Sequence, residues 1–238
     1  MSSQFPPQPP SHFAPAPLQQ PPSNTFDFAK AFTFVFNDPD WVKKTLLGGL
    51  FYMLAMFIVG AFIVFGYLAQ MMRNVVAGME RPLPEWNNIG GYLVEGLKLS
   101  LICIVWYAPL IALALLFVVP VAMLGDPDTE GAAAGLMSCG IGLVILLTLL
   151  ISLLLPAALL LAVVRERASA AFEFGTIIAF IKANAMNYVL AIVVYLISNT
   201  LSQFGMILLC VGIFFTAFLS LVMTAWAFAE TYRLSSVK

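Results

Sequence analysis

Five stretches of almost unbroken apolar sequence dominate this chain and restrict the folds open to it. They cover residues 46–72, 96–124, 132–164, 188–204 and 206–229. A transmembrane helix needs about 20 predominantly apolar residues, so several of these stretches are long enough to cross a bilayer. Of the 238 residues, 61% are hydrophobic and 10% are charged, whereas soluble proteins carry about 25% charged residues. The sequence therefore predicts an all-α, polytopic bundle of transmembrane helices, with residues 26–238 forming a single membrane domain.

Residues that bind metals or carry out catalysis are scarce. The only histidine is His12, and the three cysteines, Cys103, Cys139 and Cys210, lie far apart in the sequence. No cluster with metal-ligand spacing and no phosphate-binding glycine loop is present in the sequence. We therefore expect no enzyme activity, no metal and no cofactor. The net charge of −1 gives no reason to expect nucleic-acid binding.

Ionisable residues near the middle of a transmembrane helix are typical of proton or ion coupling. None of the five apolar stretches carries one there. Glu95 and Lys98 lie at the start of a stretch, where they can reach the membrane surface. We interpret both as interfacial anchors.

The amino-terminal part of the chain is rich in proline and glutamine. Residues 1–25 hold too few apolar side chains to offset the entropy lost on ordering, so we expect a disordered tail. In residues 26–45, the side chains of Phe28, Phe32 and Phe36 fall on one helical face. This spacing predicts an interfacial amphipathic helix with its aromatic face among the lipid headgroups.

Two short motifs are typical of helix starts. In the DPDW motif, Asp38 can cap a helix, Pro39 suits its first turn, and Asp40 lies at the positive end of the helix dipole. The LPEW motif at residues 83–86 again places a proline early and a tryptophan at interfacial depth. It predicts a second helix start inside the loop 73–95.

The distribution of basic residues predicts how the chain is threaded through the membrane. Basic residues cluster before residue 46, in the loop 73–95, in the amphipathic segment 165–187 and near the carboxyl end. The positive-inside rule places all four clusters in the cytoplasm. The stretch 46–72 must then enter and leave on one side, although it is too short for two crossings. We therefore predict a re-entrant helical hairpin bent at Gly60, four full crossings and cytoplasmic termini.

The alternative is a single crossing by residues 46–72. The chain would then cross five times, and its amino terminus would lie outside. This arrangement places Lys30, Lys43 and Lys44 on the side that basic residues avoid.

If the hairpin brings its ends together, basic and aromatic side chains would surround its mouth. They are Trp41, Lys43, Lys44, Arg73 and Trp86. Such a collar could bind an anionic lipid headgroup. The alternative is that Asp38 and Asp40 only cap a helix and pair with Arg73.

Two weaker patterns have both a functional and a packing interpretation. The sequence at residues 31–34, Ala-Phe-Thr-Phe, recurs as Ala-Phe-Glu-Phe at residues 171–174, which is either an internal repeat or a coincidence. A polar run at residues 198–203 could bind a ligand, or could form hydrogen bonds between helices.

Several of these features together resemble a known family. Residues 31–44, Gly60, the pair Gly66-Tyr67, the pair Arg73-Asn74 and the LPEW motif are similar to the prokaryotic membrane family called domain of unknown function 4013. The resemblance is strongest over residues 28–86. It implies an uncharacterised multi-pass protein of the cytoplasmic membrane of a bacterium or archaeon. The family brings no established activity, so it assigns no catalytic residue.

From these observations we expect a non-enzymatic membrane scaffold or a lipid-interacting component. Its partners would be the bilayer, anionic lipid headgroups, and another membrane protein or a second copy of the chain. The alternative is a channel or transporter subunit for an uncharged or amphiphilic solute. A transporter would have a polar-lined cavity at mid-membrane, whereas a scaffold would hold a stable protein partner.

Overall fold

The computed structural model describes residues 25–123, 130–207 and 212–236. Eight α-helices occur in them: α1 (Lys30–Thr33), α2 (Trp41–Met53), α3 (Val59–Val76), α4 (Ile89–Met123), α5 (Glu130–Val164), α6 (Phe174–Ala183), α7 (Ala185–Gln203) and α8 (Gly212–Arg233). Short 3-10 turns join several of them, and the described residues contain no strand. The predicted tail, apart from Thr25, and residues 124–129 between α4 and α5 lie outside the described residues.

Among the described residues, five helical segments are long and apolar enough to cross a membrane. They are Val59–Val76, Ile89–Ala122, Gly131–Val164, Ala185–Ile207 and Gly212–Arg233. This confirms the all-α, polytopic helical bundle. Helix α2 has 13 residues and is about 20 Å long, which is too short for a hydrocarbon core of about 30 Å.

The first apolar stretch folds as a hairpin of α2 and α3, but the chain reverses before the predicted hinge. Leu54–Phe57 forms a 3-10 turn, and Ile58 has a φ of 66°, which is rare for a β-branched residue. Gly60 lies in the first turn of α3, where a Cβ would collide with the backbone of Phe51 and Leu54. Gly60 is therefore the point where the two arms pack closely, and the prediction of a hinge there is wrong.

The predicted interfacial helix over residues 26–45 is broken into shorter pieces. Helix α1 and the 3-10 turn Phe34–Asn37 precede α2, and Asp38 has extended backbone angles. Ala31 and Phe34 are buried, and the Phe34 ring stacks on Trp226 of α8 at 5.4 Å. Of the predicted aromatic face, Phe28 and Phe32 are partly buried against the core, whereas Phe36 is exposed.

The two copies of the Ala-Phe-x-Phe sequence contact tryptophans in a similar way. Phe34 stacks on Trp226, and Phe174 lies 5.3 Å from Trp106 of α4. The Trp106 indole N–H also donates a hydrogen bond to the carbonyl oxygen of Ala171, at 3.1 Å. Each copy thus fixes a short segment against a long helix.

The LPEW motif does not begin a helix. Helix α3 ends at Val76 and α4 begins at Ile89, so LPEW lies in the loop between them. Trp86 of this motif stacks on Tyr67 of α3, and the motif does not form a helical turn. Helices α4 and α5 continue through Pro109, Pro120 and Pro156.

Glycines bring α3 and α4 into backbone contact. A Cβ on Gly66 would collide with the carbonyl oxygen of Tyr92, and one on Gly96 would collide with that of Phe62. Small residues commonly permit such close approach between membrane helices. The crossing fixes the start of α4 against the middle of α3.

The polar run of α7 bonds to α8. The Ser220 hydroxyl donates to Ser198 Oγ at 3.2 Å, and the Thr216 hydroxyl donates to the Ser202 carbonyl oxygen at 2.7 Å. These bonds join two helices, as the packing interpretation of residues 198–203 predicts.

Candidate functional site

The mouth of the α2–α3 hairpin is closed by a buried lysine. Lys44 Nζ lies 2.8 Å from Asp38 Oδ2 and 2.7 Å from Glu85 Oε1, and it donates to the Leu83 carbonyl oxygen at 3.1 Å. Burial disfavours the charged ammonium, but the bonds to the two carboxylates outweigh it and raise the pKa of Lys44. The start of α2 is thereby joined to the loop that follows α3, as the hairpin interpretation requires.

The DPDW motif makes a local turn at this point. Asp38 Oδ1 accepts the backbone N–H of Asp40 at 2.9 Å, and Pro39 lies between them. The other Asp38 oxygen pairs with Lys44. The alternative to the collar paired Asp38 and Asp40 with Arg73, but Arg73 lies in a different cluster.

The Trp86 side chain also makes its contacts with protein groups. Its ring stacks on Tyr67 with centroids 4.1 Å apart, and its indole N–H donates to the Lys44 carbonyl oxygen at 3.0 Å. Because Lys44 and Trp86 are held by protein groups, the predicted headgroup collar is wrong for both.

The other collar residues lie in separate places. Trp41 packs edge-on against Phe36 at 5.0 Å. Lys43 is exposed beside Val42 and Leu46, in a shallow groove on the outer face of α2. The five residues of the collar therefore do not form one site.

Arg73, at the last turn of α3, is the collar residue that lines a cleft. Its Nη2 forms an ion pair with Glu95 of α4, and its Nε donates to the Val163 carbonyl oxygen at 3.2 Å. Glu166 Oε1 lies 3.7 Å from the same Nε. On the other side, Glu95 Oε2 lies 3.6 Å from Lys98 Nζ.

We name this cleft, of about 300 Å³, the basic cleft. Its charged residues are Arg73, Glu95, Lys98, Glu166 and Arg167, and its wall includes Leu99, Ile102 and Ala162. Three basic and two acidic side chains give a net charge of +1. The side chains of Lys98 and Arg167 are 63% and 60% exposed, so both are accessible to a ligand, although Arg167 Nη2 also lies 3.5 Å from Glu173 Oε1.

Most residues of the basic cleft are not predicted as site residues from the sequence. Glu95 and Lys98 have the positions of interfacial anchors, and no sequence motif singles out Glu166 or Arg167. The local signal was an acid and a base three residues apart at the start of a crossing. Within the described residues, no group of three or more His, Cys, Asp or Glu side chains is placed to hold a metal ion.

Comparison with known proteins gives one match. The sequence model of a family described as "Protein of unknown function (DUF4013)" matches residues 49–211, which is more than half of the chain. The match confirms the family that the sequence resembles, but it does not include residues 31–44 and it extends well beyond residue 86. No curated protein and no solved structure matches the chain.

Proposed function

The chain belongs to the family described as "Protein of unknown function (DUF4013)", and we propose that it is a non-catalytic membrane protein that binds an anionic lipid. The headgroup would occupy the basic cleft, between Arg73, Lys98 and Arg167. The protein would then be a lipid-interacting component of the membrane, with the bilayer as its principal partner.

The observation that carries the proposal is the combination of a basic rim with an apolar wall. Lys98 and Arg167 lie at the rim with exposed side chains, while Leu99 and Ile102 line the same cleft along α4. Helix α4 is apolar beyond this point, so an acyl chain can lie along it while a phosphate meets the basic groups. Clusters of basic residues beside membrane helices are typical binding sites for anionic headgroups.

The placement of charge supports a cytoplasmic position for the basic cleft. The loop between α3 and α4, the segment after α5 and the end of α8 all carry basic residues. The positive-inside rule places such segments in the cytoplasm. With α2 and α3 as a re-entrant hairpin, all of them lie on one side after four full crossings.

A role as a channel or transporter subunit has less support. The hydroxyl groups of Ser198, Ser202, Thr216 and Ser220 take part in bonds within the α7–α8 pair. They therefore contribute to helix packing and are not free to line a solute path.

The experiment is a lipid titration followed by native mass spectrometry of the full chain in detergent. Short-chain phosphatidylglycerol is compared with phosphatidylcholine of equal chain length. The cleft variant Lys98→Gln/Arg167→Gln is compared with Lys43→Gln/Arg81→Gln, which removes the same charge from exposed positions outside the cleft. Each basic residue near an anionic headgroup contributes about 1 kcal/mol, so we expect the cleft variant to bind phosphatidylglycerol about 10- to 30-fold more weakly.

Three results would contradict the proposal. They are equal binding of both lipids, equal losses in the two variants, and displacement of the lipid by glycerol phosphate at a similar concentration. The last result would mean that the cleft binds a soluble phosphate without using its apolar wall.

A further inference from the structure

Glu166 has an unusual position in the basic cleft. It is the second residue after the end of α5, and its φ is 53°, in the left-handed region that glycine or asparagine normally occupies at a helix end. The Arg167 N–H bonds to the Ala162 carbonyl oxygen at 3.2 Å, so the backbone here is fixed. The Glu166 side chain is 77% exposed and is free to change rotamer.

The two carboxylates of the cleft are held very differently. Glu95 forms a close ion pair with Arg73 through one oxygen, its other oxygen lies 3.6 Å from Lys98 Nζ, and its side chain is only 24% exposed. Glu166 approaches Arg73 Nε at 3.7 Å, which is beyond hydrogen-bonding distance, and that Nε already donates to Val163. Glu95 is therefore a fixed part of the cleft, whereas Glu166 is loosely held and displaceable.

We propose that Glu166 is an internal competitor of the ligand. Its carboxylate lies beside Arg73, and the phosphate of an anionic headgroup takes its place on binding. This inference rests on the proposed function, because it concerns the same cleft and the same class of ligand. It assigns Glu166 the role of keeping the affinity low enough for bound lipid to exchange.

The charges of the cleft support this role. With Glu166 present, three basic and two acidic lining groups give a net charge of +1, and the neighbouring pair of Arg165 with Glu173 leaves this sum unchanged. This charge matches a monoanionic phosphodiester headgroup. Without it the net charge is +2, while the close pair of Glu95 with Arg73 is retained. Loss of the Glu166 charge should therefore strengthen anion binding.

The test uses the same lipid titration with Glu166→Gln, and with Glu80→Gln as the matched control in the exposed loop between α3 and α4. An exposed charge interaction contributes up to about 1 kcal/mol, so we expect Glu166→Gln to bind phosphatidylglycerol about two- to fivefold more tightly. Phosphatidylcholine binding and the Glu80→Gln variant should be unchanged.

A third variant, Glu166→Gly, separates charge from backbone conformation. It removes the same charge and also suits the positive φ. Equal gains in Glu166→Gln and Glu166→Gly support the competitor role, whereas a gain in Glu166→Gly alone overturns it.

The outcomes distinguish this inference from the proposed function. If Lys98→Gln/Arg167→Gln weakens binding but Glu166→Gln leaves it unchanged, the competitor role is wrong and the lipid site stands. If neither variant changes binding, both proposals fail.

Discussion

Trp86 lies flat against Tyr67, with ring centroids 4.1 Å apart and ring planes inclined by 10°. The contact joins the loop between α3 and α4 to the face of α3. Since the Trp86 indole N–H also bonds to the carbonyl oxygen of Lys44 in α2, the loop holds both arms of the hairpin. The hairpin and its loop therefore behave as one packed unit.

The first prediction concerns the buried ion pair of this unit. We expect Lys44→Met to lower the free energy of unfolding by about 3–5 kcal/mol, because it leaves Asp38 charged and buried without its partner. Titration with SDS, followed by circular dichroism, measures this free energy. The matched variant Lys43→Met removes an exposed lysine and should change it by less than about 0.5 kcal/mol.

A double variant tests the assignment of the partner. Asp38→Asn/Lys44→Met should recover part of the loss seen in Lys44→Met, because no unpaired carboxylate remains at that position. If the double variant is less stable than Lys44→Met, Asp38 is not the group left unpaired.

A second prediction compares two phenylalanines that lie two residues apart. Phe34 is buried and stacks on Trp226, whereas Phe36 is 52% exposed. We expect Phe34→Ala to lower the free energy of unfolding by about 3–5 kcal/mol, and Phe36→Ala to lower it far less. The same SDS titration measures the free energy of unfolding of both variants. Equal losses in the two would mean that the Phe34–Trp226 contact does not stabilise the bundle.

A third prediction concerns the crossing of α3 and α4. Gly66→Ala should lower the free energy of unfolding by about 1–3 kcal/mol, because the added methyl group must push Tyr92 and its helix away. Gly90→Ala is the control, since a Cβ there meets nothing within 4 Å. That control should be neutral or more stable by up to about 1 kcal/mol, as expected for alanine in a helix. A destabilised Gly90→Ala protein would refute the explanation.

A fourth prediction concerns the topology. In a chain with its native cysteines replaced, single cysteines at Ser23, Glu80 and Asp128 are tested with a membrane-impermeant thiol reagent on intact cells. The re-entrant hairpin predicts labelling at Asp128 alone. Labelling at Ser23 as well as Asp128 would mean that residues 46–72 cross the membrane once.

The helical hairpin is predictable from the sequence because it depends on composition and charge. Basic residues flank an apolar stretch too short for two crossings, and charge inside a bilayer is costly. The position of the reversal is not predictable in this way. The chain turns at Ile58, whereas Gly60 is required where α3 meets the backbone of Phe51, a contact that exists only in the folded protein.

The basic cleft is less predictable than the fold. Arg73, Glu95 and Glu166 come from three different parts of the chain, and no local spacing connects them. The predicted headgroup collar was wrong because it, too, depends on contacts between residues that are distant in sequence. Lys44 and Trp86 are adjacent to a membrane segment in sequence, but contacts with Glu85 and Tyr67 hold them against protein.

The packing of α8 on α2 has a consequence for the biosynthesis of the protein. Phe218 and Phe215 of α8 fit against Gly48 and Gly49 of α2, yet the ribosome delivers α2 to the membrane well before α8 exists. Until then lipid or the insertion machinery must cover these glycines. The nascent hairpin can already be held together during this interval, because the bond between Lys44 and Glu85 uses residues made before α4.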